Sequence, residues 1–345
     1  MSQDACIEIK ALESGSDEAD YADFLATAPG ALFYYSLSYR AMLERLTGCR
    51  SRYWIAYEAG KPAGILPTVE KDGPHGVVIN SLAYYGSHGG ILAASERVRI
   101  ALLEQYNAQI SAPGVLAATL IENLTRPEPI PPQHDLIDRR ISQFTPLTGG
   151  DEAALLARID GSARRNVRKA ESSGVTVAIE NNQLDFLQET HMANMAVIGG
   201  RAKSPDFFRR LPEFFTPNKD FRVWVARRAG QPVAALLVFY AGDTVEYFTP
   251  VTVAEERECQ PMAAILRQAM VEAGRDGYLW WNWGGTWMTQ DGVYRFKKKW
   301  GAVDGVYRYF TKVGSDKVFD LSREELLACY SDFFVVPFDK LRSTK

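Results

Sequence analysis

Apolar residues fall in short runs punctuated by turn residues, and two stretches of the chain repeat each other. Residues 53–73 read YWIAYEAGKPAGILPTVEKDG and residues 223–243 read VWVARRAGQPVAALLVFYAGD. At a constant offset of 170, Trp54 matches Trp224, Ala56 matches Ala226, Ala59-Gly60 matches Ala229-Gly230, Pro62 matches Pro232 and Leu66 matches Leu236. Each copy is an apolar run, a Gly-x-Pro turn and a second apolar run, which predicts a β-hairpin. A third run follows in each, Ser81–Tyr85 and Thr244–Phe248, and then a helical pattern, Glu96–Ala108 and Pro261–Ala273. In the second helix Met262, Ile265, Leu266, Ala269 and Met270 recur at helical spacing. The run Tyr278–Trp283 (YLWWNW) supplies the next strand. A repeated order of hairpin, strand, helix and strand predicts two copies of one mixed α/β module.

The rest of the pattern completes that plan. A proline-rich stretch, Arg126–Pro132, reads as an external loop, and Asp138–Phe144 as a strand. Helices are expected over Asp151–Ile159 and Ser162–Ser172, the second with Ser162 as N-cap and Gly174 just past its end. Residues 183–215 are helical with breaks at Gly199-Gly200 and Pro205; Val306–Phe310 is a strand and Arg323–Phe333 a closing amphipathic helix. The expected division is a first domain over residues 1–145 and a second over 146–345.

Composition narrows the class. With 345 residues, 46% hydrophobic and 23% charged, the chain has the make-up of a globular protein of two ordinary domains. A net charge of −3 excludes a generally polybasic nucleic-acid binder. No apolar leader and no run long enough to cross a bilayer occur, and the four cysteines lack metal or disulfide spacing, so a reducing cytoplasm is the expected location. The charge is uneven, however. Residues 1–150 hold 12 Lys and Arg against 17 Asp and Glu; residues 151–345 hold 27 against 25. The cations cluster at Arg164, Arg165, Arg168 and Lys169, and again at Arg295, Lys297, Lys298 and Lys299. Such runs are commonly solvated helix faces, so their chemistry must come from their surroundings.

Several chemistries have no motif here. There is no HExxH, GxSxG or GxxxxGK[ST], and His75, His88, His134 and His191 are scattered, so no metal site is expected. The repeated module suits the GNAT acetyltransferase fold. CoA-using GNAT members hold the pyrophosphate on backbone N–H groups of a Gln/Arg-x-x-Gly-x-Gly/Ala turn that opens a helix. The equivalent stretch, Glu256-Arg257-Glu258-Cys259-Gln260-Pro261-Met262-Ala263, has no glycine, one N–H fewer at Pro261, and two acids that repel a diphosphate. In the first half, Ser87-His88-Gly89-Gly90-Ile91 has glycines without the spacing. A second constellation runs Asn282-Trp283-Gly284-Gly285-Thr286, then Gly292-Val293-Tyr294-Arg295-Phe296-Lys297-Lys298-Lys299-Trp300-Gly301-Ala302. The first part ends a strand in small residues that admit a ligand beside the backbone. The second is a short helix on which Phe296 and Trp300 are expected to anchor the core, with Lys297 able to donate to an oxyanion in acyl transfer.

Gly161–Val175 (GSARRNVRKAESSGV) and Gly292–Ala302 (GVYRFKKKWGA), together with the tandem module, resemble the FemAB-type family from about residue 20 to 313. These double-GNAT enzymes move aminoacyl groups from aminoacyl-tRNA to an amine of a peptidoglycan precursor. The resemblance implies that Phe296 and Lys297 lie by the reacting carbonyl, with Lys297 stabilising the tetrahedral intermediate. It implies that Arg164 and Arg168, one helical turn apart, clamp acceptor phosphates, with Arg165 and Lys169 as a neighbouring pair. Asn282, Trp283, Gly284, Gly285, Tyr294 and Trp300 are expected to line the substrate cleft. No resident cofactor is implied. The expected donor is aminoacyl-tRNA, with acyl-CoA as the alternative, and the acceptor is a nucleotide- or lipid-linked sugar or peptide. DNA is not an expected partner, and peripheral contact with a membrane is compatible with such an acceptor. No general base stands out, since Asp291 reads as a helix-start carboxylate. Two rival readings are a CoA-dependent N-acyltransferase and a non-catalytic module that binds tRNA or a glycan precursor.

Overall fold

The computed structural model describes residues 6–13, 15–84, 88–126 and 128–342. The chain forms two compact units, residues 1–140 with 306–345, and residues 141–305. The expected second domain runs over residues 146–345, whereas the second unit ends at residue 305. The last forty residues return to the first unit, because residues 309–313 pair antiparallel with residues 117–121.

The first unit begins β1 (Ile7–Ala11), α1 (Ser16–Thr27), α2 (Leu37–Thr47), β2 (Arg50–Ser51), β3 (Trp54–Glu58), β4 (Lys61–Leu66), β5 (Val69–Gly73) and β6 (Gly76–Asn80). It continues β7 (Leu92–Ala93), α3 (Glu96–Ile110), β8 (Val115–Ile121) and the start of β9 (Leu136–Pro146). The second unit holds the rest of β9, α4 (Glu152–Arg158), α5 (Gly161–Ser172), β10 (Thr176–Ile179), α6 (Leu184–Val197) and α7 (Pro205–Phe214). It then runs β11 (Phe221–Arg228), β12 (Gln231–Ala241), β13 (Thr244–Thr252), α8 (Pro261–Arg275), β14 (Trp280–Trp287) and α9 (Asp291–Lys299). The chain ends with β15 (Val303–Val313) and α10 (Arg323–Cys329). Among the described residues no helix is long and apolar enough to cross a membrane.

The repeat holds down to individual residues. Both hairpins turn at Ala-Gly with positive φ at both positions, 51° and 74° at Ala59-Gly60 and 48° and 80° at Ala229-Gly230. That is the twist a two-residue hairpin turn requires. Both registers slip at the same place, between Ala56 and Tyr57 and between Ala226 and Arg227. The third strand departs from expectation in the first copy. Residues 81–84 are not a strand, and Tyr85, like Ser87 and Pro127, lies outside the described residues. Instead β7 takes the place beside β4, with Gly64 opposite Ala93, as Ala234 is opposite Thr252.

In the second unit the strand order is β10-β11-β12-β13-β14-β9. Helix α8 buries Ile265, Leu266, Ala269 and Met270 in a core with Trp224, Leu236, Trp281 and Trp300. That unit also brings α5 and α8 together through Ala163, Val167 and Ala170. Helix α5 starts one residue before Ser162: its N-cap is Asp160, whose carboxylate accepts from the Ser162 N–H, while Gly174 (φ 74°) follows the C-cap Ser173 as expected. Helices α6 and α7 break at Gly199-Gly200 and restart with Pro205 at the first helical position. The closing helix α10 stops at Cys329, short of the expected Phe333.

Candidate active site

The site is set by an opening in the sheet of the second unit. Parallel strands β13 and β14 pair only at Thr244–Trp280, Val245–Trp281 and Glu246–Asn282, although both run on. On β13 a bulge leaves Phe248 unmatched, since Tyr247 faces Val238 and Thr249 faces Leu237. On β14 the backbone turns left-handed at Gly284 (φ 70°). A Cβ there would meet nothing within 4 Å except a Glu246 carboxylate oxygen at 4.0 Å, so a ligand has room beside that carboxylate.

Polar side chains that are almost fully buried converge on this opening. Asn282 donates to Glu246 (2.7 Å) and accepts from the Gly284 N–H (2.8 Å), which fixes both the carboxylate and the glycine turn. Lys297, on α9 and only 4% exposed, donates to the Thr286 hydroxyl at 2.7 Å and the Gly285 carbonyl at 3.1 Å. Its remaining contact, with the Gly284 carbonyl, is long at 3.4 Å. An ammonium has three donors, so this weakly used one can be handed to a ligand oxygen. Burial pushes Lys297 down to about 8, opposed by the nearby Glu246 carboxylate. Thr286 in turn donates to Gln143 (3.1 Å) on β9, whose amide reaches Asp304 (3.3 Å).

A cavity of about 350 Å³ adjoins the cluster, walled by Tyr247, Pro250 and Val251 of β13, Pro261 and Met262 of α8, and Phe296 of α9. Its polar lining comes from Asn194, Thr252, Arg257 and Gln260. Two pairs of chain neighbours join cavity and cluster: Glu246 and Lys297 belong to the polar cluster, Tyr247 and Phe296 to the cavity wall. A second buried lysine, Lys203, lies over the Phe248 ring at 4.8 Å, and burial lowers it to about 8. The bulge is thus backed by a cation on the α6–α7 side.

The expected site residues divide. Lys297, Asn282, Gly284 and Gly285 come together at the opening, and Phe296 lines the cavity. Phe296 is 38% exposed and so does not anchor the core; Trp300, 3% exposed, does. Trp283 is also core, donating to Thr145 (2.9 Å) and packing edge-on against Phe296. Neither tryptophan presents a free edge to a substrate. Tyr294 is bound to Asp304 (2.8 Å). In the Arg-rich helix, Arg164 donates to the carbonyls of Leu156 and Ile159, both at 2.8 Å, and so caps the end of α4. The expected Arg164–Arg168 clamp is therefore not formed; Arg165, Arg168 and Lys169 remain exposed. Glu246 and Gln143 are not legible in the sequence, because each lies in a strand whose local pattern gives no hint of its partner; Thr286 stands in the Asn282–Thr286 run but its bonds to Lys297 and Gln143 are visible only in the structure.

Residues 158–298 match the family of acetyltransferase (GNAT) domains. The structure of FemX covers 88% of this chain and 97% of its own with a TM-score of 0.68 at 15% identity. This is a tandem GNAT fold. The C-terminal domain of a putative lysylphosphatidylglycerol synthetase from Agrobacterium fabrum is also similar (TM-score 0.56, 13% identity, covering 92% of this chain and 98% of that one). So is a tandem GNAT protein from the clavulanic acid biosynthesis pathway (TM-score 0.53, 11% identity, 90% and 99%). No curated protein sequence matches the chain. The stretch that matches the GNAT domain family holds Glu246, Asn282 and Gly284, with Lys297 at its C-terminal edge.

Proposed function

We propose that the protein transfers an aminoacyl or other acyl group to an amine of a cell-envelope, sugar or peptide precursor. The observation that carries this reading is the buried Lys297 ammonium beside the Glu246 carboxylate at the point where β13 and β14 part. In the proposed step the acceptor amine attacks the donor carbonyl carbon. Lys297 donates to the oxygen that gains negative charge. Glu246 takes the proton the amine loses and returns it to the departing oxygen or sulfur as the tetrahedral adduct collapses and the acyl–donor bond breaks, releasing the donor's alcohol or thiol. The named relatives FemX and lysylphosphatidylglycerol synthetase support envelope chemistry as the setting.

For the donor, aminoacyl-tRNA is favoured over acyl-CoA by the start of α8. Pro261 has no N–H to offer, and the Ala263 N–H is already bonded to the Gln260 carbonyl (2.9 Å). The amide cradle that holds a diphosphate is therefore short of donors. The exposed Arg165, Arg168 and Lys169 remain as the contacts for an acceptor's phosphates. The test is a donor screen, charged tRNA against acyl-CoAs, reading release of tRNA or CoA with amine acceptors. Lys297→Met should lower transfer at least about 100-fold while the protein stays folded. Full activity in that variant overturns the reading.

A further inference from the structure

The second unit exposes apolar side chains at two places that flank its cavity. One is the end of α6, where Met192, Val197 (70% exposed) and Ile198 (68%) stand in solvent while Asn194 of the same helix lines the cavity. The other is the turn from β14 into α9, where Trp287, Met288 (60%) and Val293 are exposed and Phe296 of α9 also lines the cavity. These side chains project from a helix end and a turn, so they form protruding tips and not a groove.

A basic stripe continues from the second tip. Arg295 and Lys299 are exposed four residues apart on one face of α9. The Asp160 N–H donates to the Lys299 carbonyl at 2.8 Å, so α5 starts where α9 ends, and its exposed Arg165, Arg168 and Lys169 carry the stripe on. The acids along this stretch are Asp291, Glu171, which is bridged to Arg267 (3.4 Å), and the exposed N-cap Asp160, which lies near Lys299 and Arg165 and accepts from the Ser162 N–H. Cations therefore outnumber free carboxylates along the stripe.

We propose that this face docks on an anionic lipid bilayer, with Trp287 and Met288 entering the headgroup region and Arg295, Lys299 and the α5 cations meeting lipid phosphates. An RNA backbone would use the stripe and leave the apolar tips in water. A bilayer uses both, since exposed indole and thioether side chains gain by entering the interface and cations gain at an anionic surface. Phe296, on the same helix as Arg295 and Lys299, lines the cavity, so docking through α9 would hold the site near the membrane surface where a lipid-linked acceptor resides. The docking itself does not depend on the proposed transfer chemistry.

The test is cosedimentation of the full chain with vesicles of phosphatidylcholine alone or of equal parts phosphatidylcholine and phosphatidylglycerol. Binding should be confined to the mixed vesicles, weaken with salt, and fall about fivefold for each cation removed. Trp287→Ser with Met288→Ser, and Arg295→Gln with Lys299→Gln, should each weaken binding about tenfold or more with melting temperatures unchanged. Lys297→Met should bind like the unaltered protein, so loss of catalysis and loss of docking are separable. Absence of binding to mixed vesicles, or binding unaltered in both double variants, overturns the proposal. So does uncharged tRNA that binds through Arg295 and Lys299 while vesicles do not.

Discussion

At the scale of single residues, the chemistry turns on how burial treats a charge. Lys297 is stripped of water and titrates near 8, so its ammonium, the form that can donate to an oxyanion, is lost as pH rises through that value. Transfer is therefore expected to fall on the alkaline side with an apparent pKa of about 8. Glu246 raises Lys297, so Glu246→Gln should move that alkaline limb to lower pH as well as slow the reaction; a pH–rate profile of the two proteins checks both. The stability consequence has the opposite slope. The folded protein binds fewer protons at Lys297 than the unfolded chain between the depressed and the ordinary lysine value, so this group's cost to folding shrinks with rising pH across that window. The two arginines of the basic helix separate in the same spirit. Arg164→Ala removes two bonds to the end of α4 and should cost about 1–3 kcal/mol in denaturant unfolding. Arg168→Ala touches no such bond and should leave stability unchanged while raising KM for a phosphate-bearing acceptor.

At the scale of elements, the two hairpins offer a matched experiment. Ala59 and Ala229 each hold a left-handed backbone that an L-residue other than Asn or Gly adopts at a cost. Both are exposed, so a new side chain meets no core. Ala59→Asn and Ala229→Asn should each stabilise the protein by about 0.5–1 kcal/mol, read as a raised melting temperature. Equal gains at the two positions would express the internal repeat as energetics. The same scale explains the strand that was misplaced. Ser81–Tyr85 is apolar enough for a strand, but the place beside β4 is taken by β7, and the two-residue β7 is too short to announce itself in sequence. The helices were legible because their periodicity is local. Asp160 displaced Ser162 as the N-cap of α5 because either side chain can accept from a first-turn N–H, and tertiary context chose between them.

At the scale of the whole molecule, the chain order and the packing order differ. The last forty residues follow the second unit in sequence yet belong to the core of the first. Val318, Leu326, Tyr330, Val335, Val336 and Leu341 pack there against Val78, Leu116 and Ala117. The Tyr330 ring lies so close to Gly73 that a Cβ would meet it at 2.4 Å. Six such side chains are worth about 10 kcal/mol or more, comparable to the whole stability of a domain. A chain ending at Gly314 should therefore lose the cooperative unfolding of the first unit and most of its soluble yield, measured by calorimetry and expression. The sequence by itself determined the repeat, the hairpins, most of the helices and the GNAT-type module, because each is written in neighbours within a few turns or in a recognisable motif. Only the tertiary structure decided that Arg164 is a cap, that Trp283 and Trp300 are core, and that Glu246 stands by Lys297. Those are pairings between residues distant in the chain, and burial, which sets their chemistry, is a property of the packed molecule and not of any segment of it.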